Sequence, residues 1–331
     1  MQIDSSGLAD IGVVVIGRNE GDRLIRCLNS LISQTHQIVY VDSASTDESV
    51  NVARGMGAEV VSLDMTIAFT AARARNEGFK RLRKLYPQID YVQFIDGDCE
   101  ITYDWLKHAV AFMSLHQTVA AVCGRRRERF PERSIYNMLC DIEWDTPIGE
   151  AKACGGDALM RVSAFEAVKG FRPSLIAGEE PELCVRLRAA NWKIWRLDLE
   201  MTQHDAAMTH FMQWWKRSMR GGYAYAEGAQ LHGEPPERHW VKESRRALLW
   251  GFILPLIIIS MVICLGAWAG LLFFIFPAQI LRLALSGSRS ARENWLHAIF
   301  LVIAKFPESV GELKYFYNKL SNKSANLIEY K

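Results

Sequence analysis

Asp96-Gly97-Asp98 places two carboxylates one residue apart at the end of the apolar run Tyr91-Val92-Gln93-Phe94-Ile95. A short run rich in β-branched and aromatic residues that stops at acids reads as a buried strand delivering them to its C-terminal edge. Open α/β sheets bind ligands at that edge. Paired acids there can seat Mg²⁺ or Mn²⁺, which keeps part of its shell for substrate phosphates. The same triplet is also an ordinary polar turn, so its neighbours must decide. Asp42 closes a second such run, Gln37–Asp42, where an acid can accept hydrogen bonds from a ribose or base. The turn after the first run is Gly17-Arg18-Asn19-Glu20-Gly21-Asp22 rather than Gly-x-Gly-x-x-Gly, and its polar groups suit nucleoside contacts better than a bare pyrophosphate. Further on stand Gly155-Gly156-Asp157 and Gly178-Glu179-Glu180-Pro181-Glu182. One glutamate of the second group can deprotonate an acceptor hydroxyl. The group also suits a solvated helix N-terminus, where acids favour the dipole.

Strands and helices must alternate to position these groups. Ile11–Gly17, Gln37–Asp42, Ala58–Leu63, Tyr91–Asp96 and Ala120–Gly124 read as strands; Phe69–Leu85 and Trp105–His116 read as helices. Leu24, Leu28 and Leu31 recur at helical spacing, and Ser45 with Glu48 forms a capping-box pattern. The alternation predicts an α/β fold with a doubly wound, mostly parallel sheet covered on both faces.

From Ala247 to Leu281 no residue is charged and none is His. One straight helix of that length would measure about 52 Å, against a bilayer core of about 30 Å. A hairpin folding near Leu265-Gly266-Ala267, spanning about 247–284, fits better, either crossing the bilayer or re-entrant. Basic residues flank it on both sides (Lys242, Arg245, Arg246; Arg282, Arg289, Arg292), which places both flanks in the cytoplasm. Residues 295–320, with Val310, Leu313, Phe316, Tyr317 and Leu320 at helical spacing between lysines, read as interfacial helices. Trp214 and Trp215 beside Lys216, Arg217 and Arg220 suit either a membrane surface or an aromatic core contact. The expected division is a soluble domain over 1–235 and a membrane-associated region over 236–331, with Gly233–Glu237 at the boundary.

The chain has 331 residues and a net charge of +2, which gives no electrostatic case for general nucleic-acid binding. Seven scattered cysteines form no Cys-x-x-Cys pair and fit a reducing compartment. The polar start, Met1–Ser6, reads against a secretory signal.

The ordered set VVVIGRNE (13–20), VDSASTDES (41–49), AARARNEGF (71–79), FIDGDCEI (94–101), CGGDALMR (154–161) and GEEPELCVRLRAANWKIWRLD (178–198) resembles the inverting glycosyltransferases of family 2, which have the A-type nucleotide-sugar fold. The likeness runs over roughly 11–230. It implies donor contacts for Arg18, Glu20, Asp42, Arg75, Asn76 and Asp96. It implies a metal site at Asp98, with Asp96 and His204 beside it, and acceptor contacts for Gly156 and Asp157. The family usually has Glu-Asp where this chain has Glu179-Glu180, so Glu180 is the expected base and Glu179 its competitor. Gln213-Trp214-Trp215-Lys216-Arg217 is not the Gln-x-x-Arg-Trp motif of processive synthases. The resemblance implies a nucleotide-diphospho-sugar donor, Mg²⁺ or Mn²⁺, and a hydroxyl acceptor; the membrane region suggests a lipid-linked acceptor in cell-envelope or exopolysaccharide synthesis. A sugar-phosphate nucleotidyltransferase would want a Gly-rich basic loop after the first strand. A non-catalytic membrane scaffold would have no need of so many acids. Arg125, Arg126, Arg127 and Arg129 could meet phosphates or be a solvated face.

Overall fold

The structure is a computed structural model that describes residues 11–322; the polar start Met1–Ser6 lies outside the described residues. The chain forms two compact units, up to Ala207 and from Met208.

The first unit is built on one mixed sheet. Its strands are β1 (Ile11–Gly17), β2 (Ile38–Asp42), β3 (Glu59–Ser62), β4 (Tyr91–Asp96), β5 (Cys99–Ile101), β6 (Val119–Glu128), β7 (Gly149–Ala151), β8 (Ala158–Arg161) and β9 (Lys193–His204). The order across the sheet is β3-β2-β1-β4-β8-β6-β9-β5, with β7 on β9. The helices are α1 (Asp22–Ile32), α2 (Ser49–Gly55), α3 (Ala71–Leu85), α4 (Trp105–Leu115), α5 (Ile135–Glu143), α6 (Val162–Ala167) and α7 (Glu179–Ala189).

β1 to β4 are parallel, as their buried apolar runs require. Beyond β4 the sheet differs from the mostly parallel one expected. β8 is antiparallel to both β4 and β6, and β5 and β7 are antiparallel to β9. Only two residues, Gly97 and Asp98, separate β4 from β5, too few for a helical crossover. β6 runs on past Gly124 to Glu128, so the arginine run is strand rather than loop. The expected capping box is absent: the cap of α2 is Glu48, with no side-chain capping bond, and Ser45 is engaged elsewhere. α3 approaches the sheet closely at Gly78, where a Cβ would press on Val14 and Val41.

The second unit is helical: α8 (Phe211–His232), α9 (Val241–Leu248), α10 (Leu254–Leu265), α11 (Ile275–Leu285), α12 (Ala291–Ile303) and α13 (Lys305–Leu320). A π-helical stretch, Leu249–Ile253, joins α9 to α10 just before Pro255, and a 3₁₀ stretch, Ala267–Phe274, leads into α11. Two continuous segments, Val241–Leu265 and Ala267–Leu285, are long and apolar enough to cross a membrane, and they turn at Gly266 (φ 91°). α8 belongs to this unit, so the division falls after Ala207 and not near 235. The reason is close packing of α8 on α13: a Cβ on Gly222 would fall inside the Glu308 carbonyl, and one on Gly311 inside that of Met219. Trp214 is buried edge-on to Phe300 of α12, a core contact.

Candidate active site

The C-terminal ends of β1, β2 and β4 carry the first group of residues. The β1–α1 loop is tied to the β2–α2 loop by short polar bonds. Asn19, at φ 55°, donates its N–H to Ser45 Oγ at 2.9 Å, and its Oδ1 accepts the Thr46 N–H at 2.7 Å. Gly21 N–H reaches Asp47 Oδ2 at 3.2 Å. Buried Asp42 accepts the Tyr40 hydroxyl at 3.2 Å and the Ser45 N–H at 3.0 Å. Glu20 pairs with Arg23 at 2.8 Å, and Arg18 stands exposed at the loop tip. These bonds fix a polar rim where a nucleoside can lie.

Arg75 is the centre of the second group. It projects from α3, is buried, and bridges three acids: Nη2 to Asp96 at 2.8 Å, and Nη1 to Glu179 at 2.9 Å and to Glu180 at 2.7 Å. Burial disfavours its charge, yet Glu180, Asp96 and Glu179 together raise its pKa. Burial likewise works against ionised Asp96, but Arg75 and Arg126 outweigh it and hold its carboxyl below the usual range. Glu180 goes the other way: burial first, then Glu179, push it up to about 7, with Arg75 opposing. Gly156 lies against this cluster. A Cβ there would stand 2.6 Å from Arg75 Nη2 and 3.2 Å from both Asp96 Oδ2 and Glu180 Oε1. Gly178 caps α7 at φ 78°, the left-handed conformation that side chains resist, and so starts the helix on Glu179 and Glu180.

Two expected contacts fall elsewhere. Asn76 is fully used on one backbone unit: Nδ2 donates to Phe171 O at 2.8 Å and Oδ1 accepts Phe171 N–H at 3.0 Å. Its amide pins the 170–171 turn instead of facing a donor. Asp157 is buried, with Oδ1 on the Asp96 N–H at 3.1 Å and Oδ2 on the Thr202 hydroxyl at 2.8 Å. That carboxylate sets the backbone of the Asp-Gly-Asp turn and offers an acceptor no free face.

The third group is a cation site. Asp98, Cys99 and His204 offer ligand atoms that lie within 4.8 Å of one another, and His204 Nε2 is 3.2 Å from Asp98 Oδ2. The β5–β9 ladder brings them together by pairing Cys99 with His204. His204 Nδ1 is buried without a hydrogen bond, 3.7 Å from Glu128 Oε2. A carboxylate there can orient a metal-bound imidazole. Asp98 and His204 therefore fit a hard divalent cation. Cys99 does not: burial, with the nearby acids, raises its thiol well above the ordinary value despite Arg126, and soft sulfur suits other metals. Asp96 lies outside the Asp98–Cys99–His204 set, with both oxygens taken by arginines.

Sequence reading missed Trp144 and Glu128 here and did not single out Arg126 from the neighbouring arginines. Arg126 turns inward to Asp96 Oδ2 (3.3 Å), Asp157 Oδ2 (3.5 Å) and Cys99 Sγ (3.2 Å). Trp144 covers it, 4.8 Å from guanidinium carbon to ring, and meets His204 edge-on. Glu128 backs His204 and is held by Asn137 and by the Ala206 N–H. Strand alternation could have separated Arg126 from Arg125 and Arg127; nothing local marks Trp144 or Glu128. Around this centre five carboxylates (Asp96, Asp98, Asp157, Glu179, Glu180) face two guanidiniums, an imbalance that a bound divalent cation relieves.

Comparison with known proteins agrees with this geometry. Residues 12–168 match the model of Glycosyl transferase family 2. Glycosyltransferase AglE of Haloferax volcanii is 27% identical over 118 residues, covering 33% of this chain and 37% of that protein. Succinoglycan biosynthesis protein ExoA of Rhizobium meliloti is 26% identical over 181 residues, covering 51% and 54%. The chain thus spans about half the length, or less, of these relatives. Among solved structures, mannosyltransferase PcManGT from Pyrobaculum calidifontis, in complex with GDP-Man and Mn²⁺, superposes with a TM-score of 0.59 at 18% identity, over 94% of this chain and 88% of that one, and shows a shared fold. Taken with the ordered motifs and the sheet that carries them, the domain matched over residues 12–168 supports a glycosyltransferase of family 2.

Proposed function

We propose that this glycosyltransferase moves a sugar from a nucleotide diphosphate donor to an acceptor hydroxyl in a single inverting displacement. The observation that carries the reading is the Arg75 bridge, which holds Asp96 of the Asp-Gly-Asp turn and the Glu179-Glu180 pair in one buried cluster. Arg18, Glu20 and Asp42 would receive the nucleoside. Asp96 would meet the donor sugar, in the orientation Arg75 and Arg126 impose. Asp98 and His204 would hold Mg²⁺ or Mn²⁺, which supplies charge neutralisation for the leaving diphosphate. Glu180 is the better base. Its side chain is 13% exposed against 5% for Glu179, and a pKa pushed to about 7 suits proton abstraction near neutrality. It takes the acceptor hydroxyl proton as the oxygen bonds to the anomeric carbon and the carbon–oxygen bond to the diphosphate breaks. Gly156 leaves room beside that carboxylate.

The hairpin Val241–Leu265 and Ala267–Leu285 supports a membrane-held enzyme with both basic flanks cytoplasmic and a lipid-linked acceptor. Trp268, 83% exposed at the turn, suits the headgroup layer, and each arm is long enough to span. The partial likeness to a succinoglycan biosynthesis protein supports a role in envelope or exopolysaccharide glycan assembly. The test is turnover by the full chain with a panel of nucleotide sugars, membrane lipid extract and Mn²⁺. Sugar transfer to lipid is expected. Nucleotide binding without any transfer would favour a non-catalytic scaffold, and diphosphate release from a nucleoside triphosphate would favour nucleotidyl transfer.

A further inference from the structure

α13 is patterned inside out. Its inner face carries Glu308, Gly311, Glu312 and Tyr315, all at most 9% exposed, while Ser309 of the first turn is buried against Gly251. Its outer face carries Val310, Leu313, Phe316, Tyr317 and Leu320, between 39% and 86% exposed. At about 100° per residue these five lie within an arc of about 120°, one continuous apolar stripe. A helix dissolved in water does the reverse, and contiguous exposed apolar stripes mark contact surfaces.

The helix cannot roll to hide the stripe. Glu312 accepts the hydroxyl of Ser244, on α9, at 2.8 Å, and rotation would break that contact. Gly311 rests against the Met219 backbone where no side chain would fit. Tyr315 is bonded to Gln230. The buried polar face is therefore specified, and the apolar face is left to whatever lies outside.

Charge indicates what that is. Lys314 lies about 40° beyond one edge of the stripe and Lys319, exposed near the helix end, about 60° beyond the other, within reach for long side chains that lay their stems on apolar surface and hold the ammonium in a headgroup layer. Residues 208–331 contain fifteen Lys and Arg against eight Asp and Glu, whereas 1–207 contain twenty-four against twenty-nine. The basic excess belongs wholly to the helical unit. The stripe is also continuous with the apolar hairpin: Gly251 of the first arm packs directly on the Lys305 carbonyl at the start of α13.

We propose that the outer face of α13 docks on a bilayer bearing anionic headgroups, with the stripe in the interface and Lys314 and Lys319 at phosphate level; this rests on the reading of the hairpin as membrane-embedded. Near an anionic surface each lysine is worth about 1 kcal/mol, about five-fold in local association.

Cys264, beside the hairpin turn, is exposed, and the six other cysteines are buried, so two sites can be labelled separately. The full chain is reconstituted in phosphatidylcholine vesicles with and without phosphatidylglycerol. An environment-sensitive fluorophore sits either on native Cys264 or, in a Cys264→Ser background, on Phe316→Cys, with Leu313→Cys as a second site. Nitroxide lipids of known depth act as quenchers. The probe at 316 is expected to shift to shorter wavelength, to be quenched at headgroup depth, and to respond more with phosphatidylglycerol. Lys314→Gln with Lys319→Gln should erase that lipid dependence and leave Cys264 unchanged. A water-exposed probe at 316 and 313 in both lipids, with Cys264 still shielded from water, overturns the proposal and spares the hairpin. Equal responses in the two lipids overturn the anionic preference. A water-exposed, unquenched Cys264 probe removes the hairpin reading and this one with it. Shielding in lipid-free detergent with a doubled mass assigns the face to a second copy of the chain and overturns the proposal.

Discussion

The two units solve opposite solvation problems. Among the described residues, the unit ending at Ala207 exposes seven large hydrophobic side chains, whereas the helical unit exposes twenty-six, most of them along the hairpin and α13. The first unit buries Ile11, Val13, Val14, Val15, Phe94 and Ile95 in its sheet and pairs its buried charge in several places, the densest being Arg75 with its three acids. The second buries Glu308, Ser309 and Glu312 and turns Leu313 and Phe316 outward. Burial is costly for charge unless it is paired or hydrogen-bonded. In the sheet the paired charges line the candidate site. In α13 Glu312, bonded to Ser244 of α9, helps hold the helix in one rotation. The same rule thus shapes a site in one place and an orientation in the other.

The largest effect should come from the metal seat. Asp98→Asn, or chelation of the wild type, should reduce turnover about a thousand-fold or more, since losing several kcal/mol of charge stabilisation has that consequence. Added Mg²⁺ or Mn²⁺ should restore the chelated wild type, and circular dichroism should show both proteins folded. Full activity in excess chelator would remove the metal from the reaction.

Next is the base. Glu180→Gln should lower kcat about 10²–10⁴-fold with little change in nucleotide affinity. A carboxyl raised to about 7 is active only when ionised, so wild-type kcat/KM should rise with pH to a plateau above about 7 and fall below it. That acidic limb should vanish in Glu180→Gln. If Glu179→Gln is the more damaging change, the two roles are exchanged.

Gly156→Ala should act through Arg75, which the new methyl would meet at 2.6 Å. We expect kcat/KM to fall about ten- to a hundred-fold, the size of effect that a small misplacement of reacting groups produces, with a fold that still melts cooperatively. Wild-type kinetics would show that Arg75 moves aside freely and that its bridge does not set the geometry.

The smallest effect on chemistry should come from the other unit. Gly311→Ala would drive a methyl into the Met219 carbonyl and should destabilise the α8–α13 packing by about 1–3 kcal/mol. Nucleotide binding measured by calorimetry should remain. Loss of nucleotide binding would mean that the two units do not fold as independently as their separate cores suggest.

Much of this was legible because the local chemistry is unambiguous. β1 and β4 are near-continuous apolar runs, so their bounds could be read directly, and with them the acid Asp96 that ends β4. The hairpin turn at Gly266 follows from length alone. The rest was hidden by tertiary override. β9 alternates Arg196, Asp198 and Glu200 with apolar residues and does not look like a buried strand, yet it pairs with β5, β6 and β7 and brings His204 to Asp98. Three consecutive arginines look alike until β6 is extended, when Arg126 points one way and Arg125 the other. Asn76 resembles a ligand contact, but its amide matches a peptide unit 95 residues away. Gln93 lies fully buried within β4, satisfied by the Trp105 indole at 2.9 Å, a pairing that no hydrophobic pattern marks.

The most direct test of the central claim is the stereochemistry of transfer. The full chain, a nucleotide sugar of known anomeric configuration, Mn²⁺ and a lipid acceptor should give a glycoside whose anomeric proton coupling reports the new linkage. Inversion is expected, because a single base beside the acceptor allows one displacement. A retained configuration would contradict it, and with it the assignment of Glu180 and the reading of the Arg75 cluster as one site for donor and acceptor.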